Sequence, residues 1–205
     1  MKNSRSTWSA AFLMTLFKKG KLVDKVVREF KQSTCETCLP VCLLFLLSRL
    51  GIRVKPEEEL RILIEGLQFT RIDYAIGQLA YVVRKYGIRV DAYVEFKGFF
   101  KELKKLPLPE QLQLFNKKIN LRLLKELMKS GPIIAYVDQF YLGHLYHYPH
   151  FVVLLALTEF AEIFDPWEGK KRKIPKKRFM EGIRALRSKW KISPKAIQLF
   201  AAKAG

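Results

Sequence analysis

Residues 32–51 read Gln-Ser-Thr-Cys-Glu-Thr-Cys-Leu-Pro-Val-Cys-Leu-Leu-Phe-Leu-Leu-Ser-Arg-Leu-Gly. The opening polar residues break the apolar spacing of the preceding segment and read as a loop. From Cys38 to Leu50 the chain is almost wholly apolar, and Gly51 follows as a stop. This combination predicts a buried helix, with Thr37 as N-cap and Pro40 in the first turn, where a missing N–H is harmless. Such a helix must be covered on several sides, so the rest of the chain has to supply layers around it.

Upstream, Leu22, Val23, Val26, Val27 and Phe30 recur at helical spacing, which predicts an amphipathic helix over residues 21–31. Residues 8–17 form an apolar run of about ten residues, too short to span a bilayer. No small-x-small cleavage site follows it, so it reads as a helix packed on the domain. Residues 1–30 are therefore expected to be a helical extension, and residues 31–205 the main domain.

Downstream, a helix is expected over residues 72–86, with Thr70 and Asp73 at capping-box spacing and Gly87 as its stop. A strand over 88–94, loops and short helices over 96–118, and a helix over 120–130 ended by Gly131 and Pro132 come next. Strands over 133–140, 151–158 and 160–164 precede a turn at 165–169. Phe179, Ile183, Leu186 and Trp190 mark a last helix, and residues 195–201 a closing strand. Helices come first and strands later, so the expected class is α+β: an N-terminal helical half packed on a mostly antiparallel sheet.

A length of 205 residues suits one domain with a sizeable core, and 49% hydrophobic residues exclude a largely disordered chain. Lys and Arg number 38 against 19 Asp and Glu, a formal charge of +19. The excess is spread along the chain and no nucleic-acid motif accompanies it. The expectation is weak, non-specific contact with anionic surfaces, with no specific nucleic acid and no membrane span. The run from Lys170 to Arg178 reads as a solvated edge after the turn. Three cysteines, Cys35, Cys38 and Cys42, make a poor disulfide framework, and with no signal peptide read this points to a reducing, cytoplasmic setting.

The same cysteines open the question of chemistry. A thiol hydrolase needs an ionisable thiol, a histidine to move its proton, a group to orient that histidine, and donors for an oxyanion. Cys38 in the first turn of an apolar helix meets the first need, because unpaired N–H groups and the helix dipole favour thiolate. Gln32 lies six residues upstream, where its amide can turn back toward an oxyanion. His150 opens a strong strand and Asp165 closes the next, so a hairpin joining them brings imidazole and carboxylate side by side. Cys35 and Cys38 form a C-x-x-C, but the strand that precedes a redox motif of that kind is missing. His144, His147 and His150 do not read as a metal site, since spacing along a strand puts His147 on the opposite face from the other two. No metal and no cofactor are expected. Cys42, one turn after Cys38, reads as a buried small hydrophobe.

The run from Gln32 to Gly51 resembles the active-site helix of the papain-like cysteine peptidases that process double-glycine leader peptides in bacteriocin maturation. Gly131-Pro132 with the strand after it, His150-Phe-Val-Val, and Asp165-Pro166 agree with the second half of that pattern, in the order Gln, Cys, His, Asp. The resemblance implies a papain-like fold and a cofactor-free peptidase acting on a peptide or protein substrate through a Cys38 thioester, with cleavage after small residues such as Gly-Gly. It implies Cys38 as nucleophile, Gln32 as oxyanion donor, His150 as base and Asp165 as its orienter. One departure is Leu39, where that family has Gly. A side chain there is expected to crowd the oxyanion hole, which keeps open an alternative: a weak or inactive papain-like domain that binds a peptide or an anionic partner.

Overall fold

The computed structural model describes residues 30–201. The helix read at 8–17, nearly all of that at 21–31, and the extension 1–30 up to its last residue lie outside the described residues. Among the described residues three helices come first: α1 (Cys38–Arg49), α2 (Glu58–Phe69) and α3 (Tyr74–Tyr86). Then follow β1 (Arg89–Val94), α4 (Lys97–Leu103), β2 (Leu112–Asn116), α5 (Leu121–Leu127) with a 3-10 turn, and β3 (Ile133–Asp138). A short 3-10 turn leads to β4 (Pro149–Leu157), β5 (Phe160–Asp165), β6 (Lys170–Pro175), α6 (Lys176–Ser188) and β7 (Lys195–Phe200). The class is α+β, with one seven-stranded sheet in the order β2-β1-β7-β3-β4-β5-β6. Only the β1–β2 pair is parallel.

Alternation along the strands divides the core in two. Ile134, Phe151, Val153, Phe164 and Ile197 face the cluster built around α1 and α3. Ile133, Ala135, Val152, Leu154, Ile163 and Ala196 face a second cluster with α5 and α6. Both faces of the sheet are therefore covered. The α1 helix is buried from Cys38 through Leu47, and the Phe45 ring stacks on Phe164 with centroids 4.2 Å apart. The Cys42 thiol lies 3.5 Å from the Phe151 carbonyl and anchors α1 over β4.

Three local readings need correction. Thr37 stands at the N-cap of α1 but makes no cap bond; its hydroxyl donates to the Thr34 carbonyl at 2.9 Å and closes the preceding turn. The α3 helix begins at Tyr74, with Asp73 as its cap accepting from the Ala75 N–H, while Thr70 takes the Ile72 N–H outside the helix, so there is no capping box. The closing strand expected over 195–201 forms as β7, and it lies inside the sheet between β1 and β3. Within 96–118, where loops and short helices were expected, β2 pairs with β1. Its inward residues Leu112 and Leu114 follow two prolines, and it pairs with the preceding strand, Val90 opposite Leu112.

The α2 helix had no counterpart in the expectations. Its inner face, Glu59, Ile62 and Gly66, packs on α3, where a Cβ on Gly77 would meet the Gly66 carbonyl at 2.4 Å. Leu60, Ile64 and Leu67 lie outward, so apolar residues stand on the outward side of α2 as well as on the inward one. Strand β6 forms the outer edge of the sheet, and its lysines 170, 171 and 173 are exposed, as expected of a solvated edge. Among the described residues no helix is long and apolar enough to cross a membrane.

Candidate active site

Because Thr37 spends its hydroxyl on the Thr34–Thr37 turn, the first N–H groups of α1 stay open. Among the described residues no acceptor takes the backbone N–H of Cys38 or Leu39. Two unpaired donors at a helix N-terminus make a place for negative charge. Cys38, 5% exposed, is the side chain beside them.

The β4–β5 hairpin supplies the other half. His150 opens β4 opposite Val137, and Asp165 ends β5 opposite Lys170. The His150 Nε2 donates to Asp165 Oδ1 at 3.0 Å, which leaves Nδ1 as the nitrogen facing Cys38. Burial alone lowers the imidazole pKa. Hydrogen bonds to Asp165 and Cys38, together with the charges of both, outweigh it and raise it to about 9.

Asp165 is wholly buried and accepts four hydrogen bonds. Oδ1 takes His150 and the Trp167 N–H at 3.0 Å each; Oδ2 takes His144 Nε2 at 2.8 Å and Arg172 Nη1 at 3.2 Å. Burial works to raise its pKa, but the two imidazoles hold the carboxyl well below the usual carboxylate range. The ligand atoms of His144, Asp165 and Glu168 lie within 4.8 Å of one another, a spacing that suits a cation. Arg172 Nη1 sits 3.2 Å from both carboxylates, and its Nη2 donates to the Leu142 carbonyl, so a guanidinium is the cation there.

Gln32 is placed differently from Cys38, His150 and Asp165. Its backbone N–H donates to the Pro166 carbonyl at 2.9 Å, which ties the loop before Cys38 to the turn after Asp165. Its side-chain Nε2 donates to the Thr34 carbonyl at 2.8 Å, while Oε1 is buried without a partner. One Nε2 hydrogen remains. Leu39 is fully buried within the α1 core cluster, so it does not line an open cleft. Cys35 is exposed, and burial pushes the Cys42 thiol up, which makes Cys42 unreactive.

Sequence reasoning missed a second tier. Glu36 accepts from the Tyr148 hydroxyl at 2.9 Å and from the Tyr74 hydroxyl at 3.2 Å, joining the turn before Cys38 to α3 and to the residue two before His150. That hydrogen bond, with burial and the nearby negative groups, pushes Tyr148 up to about 12. His144 and Arg172 hold Asp165 from behind. A separate pair, His147 and Asp138 at 2.8 Å with the Trp190 indole on the same carboxylate oxygen, pins the loop before β4. The spacing of His144 and His150 was the available signal, since both meet one carboxylate while His147 turns away.

The raised His150 pKa gives a pH expectation. Below about 9 the ring is protonated and can give a proton to a leaving group, so turnover should fall as pH rises through about 9. The sign for stability agrees. A histidine raised from about 6.5 stabilises the fold fully below about 6.5 and loses that contribution as pH climbs through about 9. A turnover profile whose alkaline limb sits near 6.5 would contradict the geometry.

No family model and no curated protein matches the chain. Among solved structures it is similar to the crystal structure of a double glycine motif protease from an AMS/PCAT transporter in complex with the leader peptide. The identity is 18% and the TM-score 0.44, with 82% of this chain and 87% of that one covered. It is also similar to the crystal structure of the peptidase domain of Streptococcus ComA, a bi-functional ABC transporter involved in a quorum sensing pathway. There the identity is 15% and the TM-score 0.47, with 83% of this chain and 96% of that one covered.

Proposed function

We propose that the chain is a cysteine peptidase that cleaves a peptide or amide bond through a Cys38 thioester. The observation that carries this reading is the alignment of Cys38, at an uncapped helix N-terminus, with an imidazole whose far nitrogen is fixed by a buried carboxylate. The Cys38 thiolate attacks the scissile carbonyl carbon, and the oxygen gathers charge at the Cys38 N–H and the free Nε2 hydrogen of Gln32. Protonated His150 gives its proton to the departing amine as the C–N bond breaks. The neutral ring then takes a proton from water, whose oxygen attacks the thioester and releases the acid and the thiol. Asp165 keeps the ring oriented and balances its charge.

Substrate width follows from access. A thiol only 5% exposed, beside two tyrosines tied to Glu36, admits a narrow chain, which supports cleavage after small residues such as Gly-Gly. The test uses a Cys35→Ser background, so that the exposed cysteine does not compete. Iodoacetamide at neutral pH should label Cys38 and spare Cys42, and His150→Ala should slow labelling by at least about tenfold. A Cys38 that fails to react, or reacts at a rate indifferent to His150, would leave the binding-domain alternative in its place.

A further inference from the structure

We propose that the outward stripe of α2, formed by Leu60, Leu63, Ile64 and Leu67, is the seat of the chain's own residues 8–17. These four positions fall at i, i+3, i+4 and i+7, one continuous face of a helix. Leu60, Ile64 and Leu67 are 49%, 51% and 54% exposed, a clustering that solvent-facing helices avoid. The inner face is separately filled by Ile62 and Gly66 against α3. A helix apolar on two faces belongs between two layers, and the described residues supply only one.

Three observations point to this occupant. The described chain begins at Phe30, buried edge-on against Phe45, and Ser33 donates from both N–H and hydroxyl to Glu59, the residue just before Leu60. The chain thus enters the domain beside the first turn of the stripe. With residues 21–29 helical, as their spacing predicts, residues 18–29 still reach up to about 24 Å, more than the roughly 18 Å length of α2. The sequence itself fits: Trp8, Phe12 and Leu16 repeat every four residues, with Leu13 and Phe17 adjoining, so a helical turn pattern gives a ridge to match the stripe. Charge is complementary as well. Glu57 stands exposed at the start of this helix in a chain of net +19, and Lys18, Lys19 and Lys21 follow the apolar run.

The test uses the full chain in a Cys35→Ser background carrying Ile64→Cys, with maleimide labelling of the new thiol. Adding Phe12→Asp and Leu16→Asp, both outside the described residues, should speed labelling at least tenfold. In a second variant, Leu60→Ser with Leu67→Ser should hasten trypsin cleavage after Lys18 and Lys19 while the circular dichroism of the domain holds. Equal rates with and without the two aspartates would overturn the proposal. So would protection that grows with protein concentration, which would mark a second copy as the occupant, or protection seen only with added peptide.

Discussion

Replacing Asp165 by Asn should lower turnover by about 10³–10⁴-fold and weaken the fold at the same time. Asp165 only accepts, and it meets four donors: two imidazoles, a guanidinium and a backbone N–H. An amide keeps one oxygen and brings two hydrogens. If the oxygen stays on His150, the new NH2 faces the donors His144 and Arg172. If it flips, the NH2 faces His150 Nε2 and forces the ring's own proton onto Nδ1, where it blocks transfer from Cys38. Either way the arrangement at Cys38 or the network behind it is lost. Removing the buried carboxylate also leaves Arg172 with Glu168 as its one carboxylate partner, and breaking a buried charge network of this kind costs about 3–5 kcal/mol. Asp165 is held below its unfolded pKa, so in the native protein its contribution is present above about pH 4 and fades as pH falls below that. The variant should therefore lose part of the native acid dependence. Turnover and urea unfolding, each followed against pH, check both halves. Turnover within tenfold of the native protein would remove Asp165 from the proposed mechanism.

Leu39→Gly should destabilise the protein by about 3–5 kcal/mol and leave the turnover of the folded fraction unchanged. From sequence the opposite effect was plausible, because a side chain next to Cys38 was expected to crowd the oxyanion. The structure places Leu39 at 0% exposure among the α1 core residues, so its removal opens a cavity in the core instead of a hole at the surface. Emptying a buried leucine site costs about 2–5 kcal/mol, and glycine in a helix adds up to about 1 kcal/mol. Against a typical stability of about 5–15 kcal/mol this is a large fraction, and the urea midpoint should fall accordingly. A tenfold gain in turnover at unchanged stability would show that Leu39 lines the oxyanion site after all.

The sequence by itself determined the α1 helix, its first residue and its burial, because an unbroken apolar run after a polar loop admits few other arrangements. It also determined the α+β order and the hairpin pairing of His150 with Asp165, since both residues sit at the ends of strands joined by a short connection. Tertiary structure alone decided the rest. The α2 helix carries apolar residues outward as well as inward, so its pattern does not say which side packs on the domain, and its inward face is defined by the Gly66–Gly77 contact with α3. Strand β2 needed β1 as a template, and β7 found its place between β1 and β3 only when strands distant in sequence met. The clamp of Glu36 by Tyr74 and Tyr148, and the grip of His144 and Arg172 on Asp165, join residues 21 to 112 positions apart, apart from the near pair Arg172 and Asp165. Side-chain hydrogen bonds across such separations leave no periodicity in the chain, because their partners are chosen by the packing of helices and strands and not by spacing along the backbone.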